Sequence, residues 1–122
     1  VWATWCRPCV AETPELVAFA RAQRDSGLRL IGVSTDYFTV DDTTALRKVT
    51  AFQQTQQIPY ANLIYTGGVD DLTTQLDLPG PLPTTILFNP TGEAVEQISG
   101  RLEDADFVRI ATTVSAGAAP GT

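Results

Sequence analysis

Apolar positions recur along this chain at two periods. Leu16, Phe19 and Ala20 fall at i, i+3 and i+4 within residues 10–26, a helical stripe that Gly27 is placed to cap. Residues 28–34 (Leu-Arg-Leu-Ile-Gly-Val-Ser) form a short apolar run after that glycine, the pattern of a buried parallel strand behind a crossover helix. Asp41 or Asp42 is positioned to cap a second amphipathic helix over 43–57, where Ala45, Leu46, Val49 and Phe52 make the apolar face and Ile58-Pro59 ends it. A short extended segment over 60–65 precedes Gly67-Gly68, and a short helix over 69–76, starting near Asp70 or Asp71, follows them. Asn89-Pro90-Thr91-Gly92 has the residues of a type I turn and joins two antiparallel strands, 85–89 and 94–99. Phe107, Ile110, Ala111 and Val114 mark a last helix over 103–115. The domain is therefore expected over 1–115, with 116–122 a flexible tail of small residues.

The 122 residues suit one domain, and 43% hydrophobic residues suffice for an ordinary core. Fourteen acidic against eight basic residues give a formal charge of −6 without a basic cluster, so nucleic acid and anionic membrane surfaces have no electrostatic footprint. Proteins and small thiols are the expected partners. No stretch reaches the length of an apolar membrane span. The chain opens at Val1 rather than a methionine, in what reads as the end of a strand. An N-terminally truncated fragment is expected, with any leader or membrane tether upstream.

Chemistry concentrates in Trp2-Ala3-Thr4-Trp5-Cys6-Arg7-Pro8-Cys9, which holds both cysteines of the chain. A Cys-x-x-Cys pair beside a βαβ pattern reads as a redox site. If a helix begins at Cys6, Cys9 lies one turn on with side-chain roots roughly 5–6 Å away, within reach of a disulfide. Cys6 then meets the unpaired N–H groups and positive end of the helix, and Arg7 adds a cation. Thiols in such settings fall from about 8.5 to roughly 3.5–7.5, so Cys6 is the expected attacking sulfur and Cys9 the resolving one. Pro8 fits the first turn, where its missing N–H costs nothing.

These residues, with Glu12 and Pro14 after them, resemble thioredoxin-fold thiol-disulfide oxidoreductases, and the Trp-Ala-Thr-Trp-Cys-x-Pro-Cys-x-x-Glu-x-Pro form is most similar to the TlpA/ResA-like branch. The resemblance implies an α/β fold, three-layered αβα, with a central mixed sheet that here lacks its N-terminal part. It implies catalysis through Cys6 and Cys9, with Trp5, Arg7 and Pro8 in support. Glu12 matches a glutamate near the disulfide that handles protons; the alternative is an acidic residue favoured by the helix dipole alone. Pro14 matches a helix kink; the alternative is a helix that starts after it. Leu82-Pro83-Thr84 before an apolar strand matches the cis-proline loop facing the cysteines, with Pro83 cis and the Leu82 backbone pairing with a substrate peptide. Gly100 matches the glycine that ends the last strand.

No cofactor is implied beyond the redox-active disulfide. A metal is not expected: the chain has no histidine and no third cysteine. The implied partners are protein disulfides or thiols and a redox partner protein. The implied role is a reductase outside the cytoplasm, in a bacterial periplasm or cell envelope and often membrane-anchored, for example in cytochrome c maturation; a cytoplasmic location stays open. Two rivals stand beside it. One is a peroxiredoxin-like redoxin reducing peroxides through a sulfenic acid on Cys6, and the other a thioredoxin-fold binding module whose cysteines are incidental.

Overall fold

The computed structural model describes residues 1–76 and 81–115. The tail 116–122 and residues 78–80 of the proline-rich loop lie outside the described residues. In chain order the elements are α1 (Arg7–Ala22), β1 (Ile31–Ser34), a 3-10 turn (Asp36–Phe38), α2 (Asp42–Gln56), β2 (Ala61–Ile64), α3 (Val69–Leu76), β3 (Thr84–Phe88), β4 (Ala94–Ser99) and α4 (Asp104–Ser115).

Every expected element forms, and the boundaries shift for local reasons. Helix α1 starts at Arg7 because Cys6 is its N-cap in an extended conformation, and Pro8 occupies the first turn. It closes at Gln23, whose N–H donates to the Phe19 carbonyl, so Gly27 belongs to the following turn and not to the cap. Pro14 lies inside α1, which rules out a helix that begins after it. Helix α2 is capped by Asp41, whose carboxylate accepts the Thr44 N–H at 2.7 Å. Strand β1 is shorter than the apolar run that predicts it. Its register pairs Ile31 with Ala61, so Arg29 would face Pro59, which has no N–H to extend the ladder.

Strands β1 and β2 run parallel from Ile31 opposite Ala61 to Ser34 opposite Ile64. Strands β3 and β4 run antiparallel, with Thr84 opposite Ser99 and an irregularity at Leu87 and Phe88. The expected single mixed sheet is thus two two-stranded ladders, because only Val1 and Trp2 stand between β1 and β3. Val1 exchanges hydrogen bonds with Thr84 at 2.7 and 3.1 Å. Trp2 donates to the Val33 carbonyl at 3.0 Å and accepts from the Thr35 N–H at 2.9 Å.

Helices cover both faces. Phe19 of α1 meets Phe107 of α4 at 5.1 Å, while Trp2 packs on Phe52 of α2 at 5.3 Å. Ala3, pointing the other way from Trp2, is fully buried with Cys6 and Cys9. Gly100 adopts φ +84°, a region that favours glycine, and its N–H donates to the Pro83 carbonyl at 2.8 Å, tying the end of β4 to the loop before β3.

Gly32 is the tightest point in the parallel ladder. A Cβ there would lie 1.8 Å from Asn62 Oδ1, the atom that accepts the Trp2 indole N–H at 3.1 Å. Gly32→Ala is expected to expel the Asn62 side chain and strand that donor, costing about 1–3 kcal/mol. Chemical denaturation should show the loss, and Asn62→Ala added to it should cost less than the two single losses summed, since both remove the same bond.

Candidate active site

Cys6 and Cys9 form a disulfide with Cα atoms 5.3 Å apart. Cys6 Sγ accepts the Cys9 N–H at 3.3 Å, so the sulfur takes the capping role that an oxygen usually fills. Both residues are buried, Cys6 at 5% and Cys9 at 2% exposure, whereas Trp5 beside them is 55% exposed. Arg7 and Pro8 are exposed in the first turn of α1.

The two sulfurs belong to different sides of the molecule. Cys6 lines an outer cleft of about 530 Å³ with Trp5, Arg7, Pro8, Thr35, Phe38, Leu72, Thr73, Pro81 and Leu82. Cys9 lines an inner, mostly apolar cavity of about 410 Å³ between the two ladders, together with Glu12, Tyr60, Pro83, Thr84 and Leu102 among others. The cis-proline loop therefore meets both: Leu82 faces the cleft, and Pro83 and Thr84 the cavity. The Leu82-Pro83 bond is cis. Thr84 is buried and donates its hydroxyl to the Pro81 carbonyl at 2.8 Å.

Glu12 sits beyond the first turn of α1, which carries no acidic residue, so the helix dipole does not account for it. It is 2% exposed, and its carboxylate accepts the Leu102 N–H at 2.5 Å. Burial holds this carboxyl above the usual carboxylate range, against the opposing pull of the Leu102 N–H. Burial first, and the Glu12 charge second, push the Tyr60 hydroxyl up to about 12. Glu12 and Tyr60 thus share the cavity behind Cys9.

Tyr60, Leu102, Phe38 and Leu72 were not legible as site residues. Leu102 is 90 positions from Glu12, and Tyr60 enters only through the ladder that places β2 beside β1. The loop aromatic Phe38 packs edge-on against Tyr65 at 6.2 Å and lines the cleft. Among the described residues, no helix is long and apolar enough to cross a membrane.

Comparison with known proteins bears on this geometry. The model of the AhpC/TSA family matches residues 1–98. The chain is 32% identical over 103 residues to the thiol-disulfide oxidoreductase ResA of Oceanobacillus iheyensis, covering 83% of this chain and 47% of that protein. It spans about half the length of the curated relatives it matches. Among solved structures it superposes on the thioredoxin domain of a thiol-disulfide oxidoreductase from Bacteroides vulgatus with a TM-score of 0.69 at 22% identity, covering 92% of this chain and 73% of that one. StoA from Bacillus subtilis superposes with a TM-score of 0.67 at 20% identity, covering 89% and 74%. The fold is thioredoxin-like.

The raised Glu12 pKa has a sign in stability. A carboxyl whose folded value exceeds its unfolded one stabilises fully below the unfolded value, and that stability is lost as pH rises through the folded value. Glu12→Gln keeps an acceptor for the Leu102 N–H and removes the titration. The melting temperature of the variant minus that of the parent should rise from about pH 4 upward and level off above the Glu12 value. A difference that stays flat across that range contradicts the assignment.

Proposed function

The chain belongs to the AhpC/TSA family, and on that premise we propose that it is a thiol-disulfide oxidoreductase that exchanges disulfides with protein substrates through Cys6 and Cys9, acting as a reductase. The observation that carries the reading is the division of the two sulfurs: Cys6 caps α1 and opens to the outer cleft, while Cys9 faces the inner cavity. A substrate sulfur approaching from outside meets Cys6 first.

In the dithiol form the Cys6 thiolate attacks one sulfur of a substrate disulfide. That S–S bond breaks, its other sulfur leaves as a thiolate and takes a proton, and a mixed disulfide joins Cys6 to the substrate. Cys9 then loses its proton and attacks Cys6 Sγ. The mixed disulfide breaks, the substrate leaves as a dithiol, and Cys6–Cys9 is oxidised. Two electrons have passed to the substrate, and a redox partner protein must return them. No cofactor enters these steps.

The helix N-terminus stabilises the attacking thiolate, since its N–H groups favour an anion. Trp5, Arg7 and Pro8 form the rim of the cleft around Cys6. Leu82 supplies backbone beside the cleft against which an extended substrate segment pairs, with Pro83 and Thr84 holding that segment of chain in place. Glu12, kept protonated to higher pH than a free carboxyl, is the group that exchanges a proton with Cys9. The TlpA/ResA-like resemblance alone supports an extracytoplasmic, membrane-tethered setting and substrates such as cytochrome c precursors.

Insulin reduction in the presence of dithiothreitol tests the reading. The parent protein should accelerate insulin precipitation, Cys6→Ser should fall to background, and Cys9→Ser should accumulate a mixed disulfide. An inactive parent would mark a binding module. Hydrogen peroxide consumption without insulin reduction would mark the peroxidase.

A further inference from the structure

A buried carboxylate at the end of β1 takes no part in the exchange steps above. Asp36 is 1% exposed, and its partners are neutral donors. The Thr4 N–H reaches both carboxylate oxygens, at 3.2 and 3.1 Å. The Thr4 hydroxyl donates to Oδ1, and the Ser34 hydroxyl donates to Oδ2 at 2.5 Å. The Asp36 N–H donates in turn to Ser34 Oγ at 3.1 Å, which fixes the carboxylate's own backbone. A charge buried among neutral donors is costly compared with an amide in the same place, so fold stability alone is a weak reason for it.

Thr4 occupies a particular place in the chain. On one side Trp2 is held by β1 through Val33 and Thr35. On the other, Cys6 must enter α1 as its N-cap, with its N–H turned back on the Ala3 carbonyl at 3.2 Å. The chain thus reverses within three peptide units, and Thr4 is the residue inside that turn that is gripped by both amide and hydroxyl.

We propose that Asp36 is a positioning residue for the disulfide centre: by clamping the Thr4 amide and hydroxyl, it sets the turn that presents Cys6 Sγ to the first amides of α1. The functional meaning rests on the disulfide-exchange reading above, but the positioning claim does not. If the clamp slackens, Cys6 departs from the cap geometry, its thiolate loses helix N–H donors, and its reactivity at a given pH falls. Asp36 acts on Cys6 through Thr4 and touches no substrate.

The test uses the reduced protein with Cys9→Ser, so that Cys6 is the single thiol, and follows its alkylation by iodoacetamide against pH. Asp36→Ala should raise the midpoint of the profile, or lower its neutral-pH rate, by about fivefold or more, as expected from the loss of one or more buried hydrogen bonds at the turn. Thr4→Val removes only the hydroxyl and should shift the profile the same way by less. Asp36→Asn keeps Oδ1 for the Thr4 amide and hydroxyl but sets an NH2 where Oδ2 accepted from Ser34 and from the Thr4 N–H, so its profile should fall between the parent and Asp36→Ala. Should Asp36→Ala fail to fold, Thr4→Val alone decides. Folded variants with the parent profile would overturn the proposal, as would Asp36→Asn no better than Asp36→Ala, since the Oδ1 bonds to Thr4 that it keeps would then count for nothing. Alkylation needs no protein substrate, so an inactive parent in the insulin assay sinks the exchange reading and leaves this one standing or falling by its own result.

Discussion

The sulfur of Cys6 does the work that a serine or aspartate oxygen does at other helix starts, and the rest of the site is arranged around that substitution. By accepting the Cys9 N–H at 3.3 Å, it ties the disulfide to the first turn of α1 before any chemistry begins. The turn leading to it hangs from Trp2, and among the described residues Val1 and Trp2 link the two ladders by backbone hydrogen bonds. The reactive bond therefore sits directly above the junction of the sheet. Displacing Trp2 from β1, or Val1 from β3, would disturb the cap as well as the core.

That junction also separates two environments. Outside it, Cys6 shares a cleft with exposed Trp5 and Arg7 and with the apolar side chains of Phe38, Leu72 and Leu82. Inside it, Cys9 shares a cavity with a carboxyl and a phenol whose ionisation burial opposes. The two halves of one disulfide thereby face different surroundings. The Gly100 N–H bond to the Pro83 carbonyl and the Thr84 bond to Pro81 brace the loop that forms the shared wall.

What could be read from the chain alone followed local rules. Cys6, Cys9 and Pro8 obey the geometry of a helix start, Asp41 caps where its side chain can reach Thr44, and the Asn89 turn closes with its Gly92 N–H on the Asn89 carbonyl at 3.0 Å. Pro83 was legible through resemblance, not through propensity, since few X-Pro bonds are cis. Apart from the Gly27 cap, which α1 forgoes by closing at Gln23, the misses are non-local. β1 begins only at Ile31 because of a proline that precedes a different strand, and Glu12 finds its donor at Leu102. The Asp36 clamp needs the end of β1 to lie against the active-site turn, and a single aspartate after an apolar run carries no sign of that. The burial of both cysteines beside Trp2 and Ala3 is completed by Leu82, which arrives from a loop far along the chain.

On the exchange reading, opposing influences act on a Cys6 thiolate. When the disulfide opens, the Cys9 N–H bond to Cys6 becomes charge-assisted and about twice as strong as a neutral one. This stabilises the reduced form and makes the pair more oxidising. Burial among Ala3, Trp2 and Leu82 acts the other way, because it disfavours the charged sulfur. An ionised Glu12 behind Cys9 adds like-charge repulsion in the same sense. A hydrogen bond to a charged group is worth about 1.5–3 kcal/mol, and about 30 mV corresponds to 1.4 kcal/mol for a two-electron couple, so that bond is not small on the scale that separates oxidants from reductants. On the exchange reading Glu12 makes that balance dependent on pH: protonated, it adds no repulsion to a thiolate, and ionised, it pushes the pair toward donating electrons.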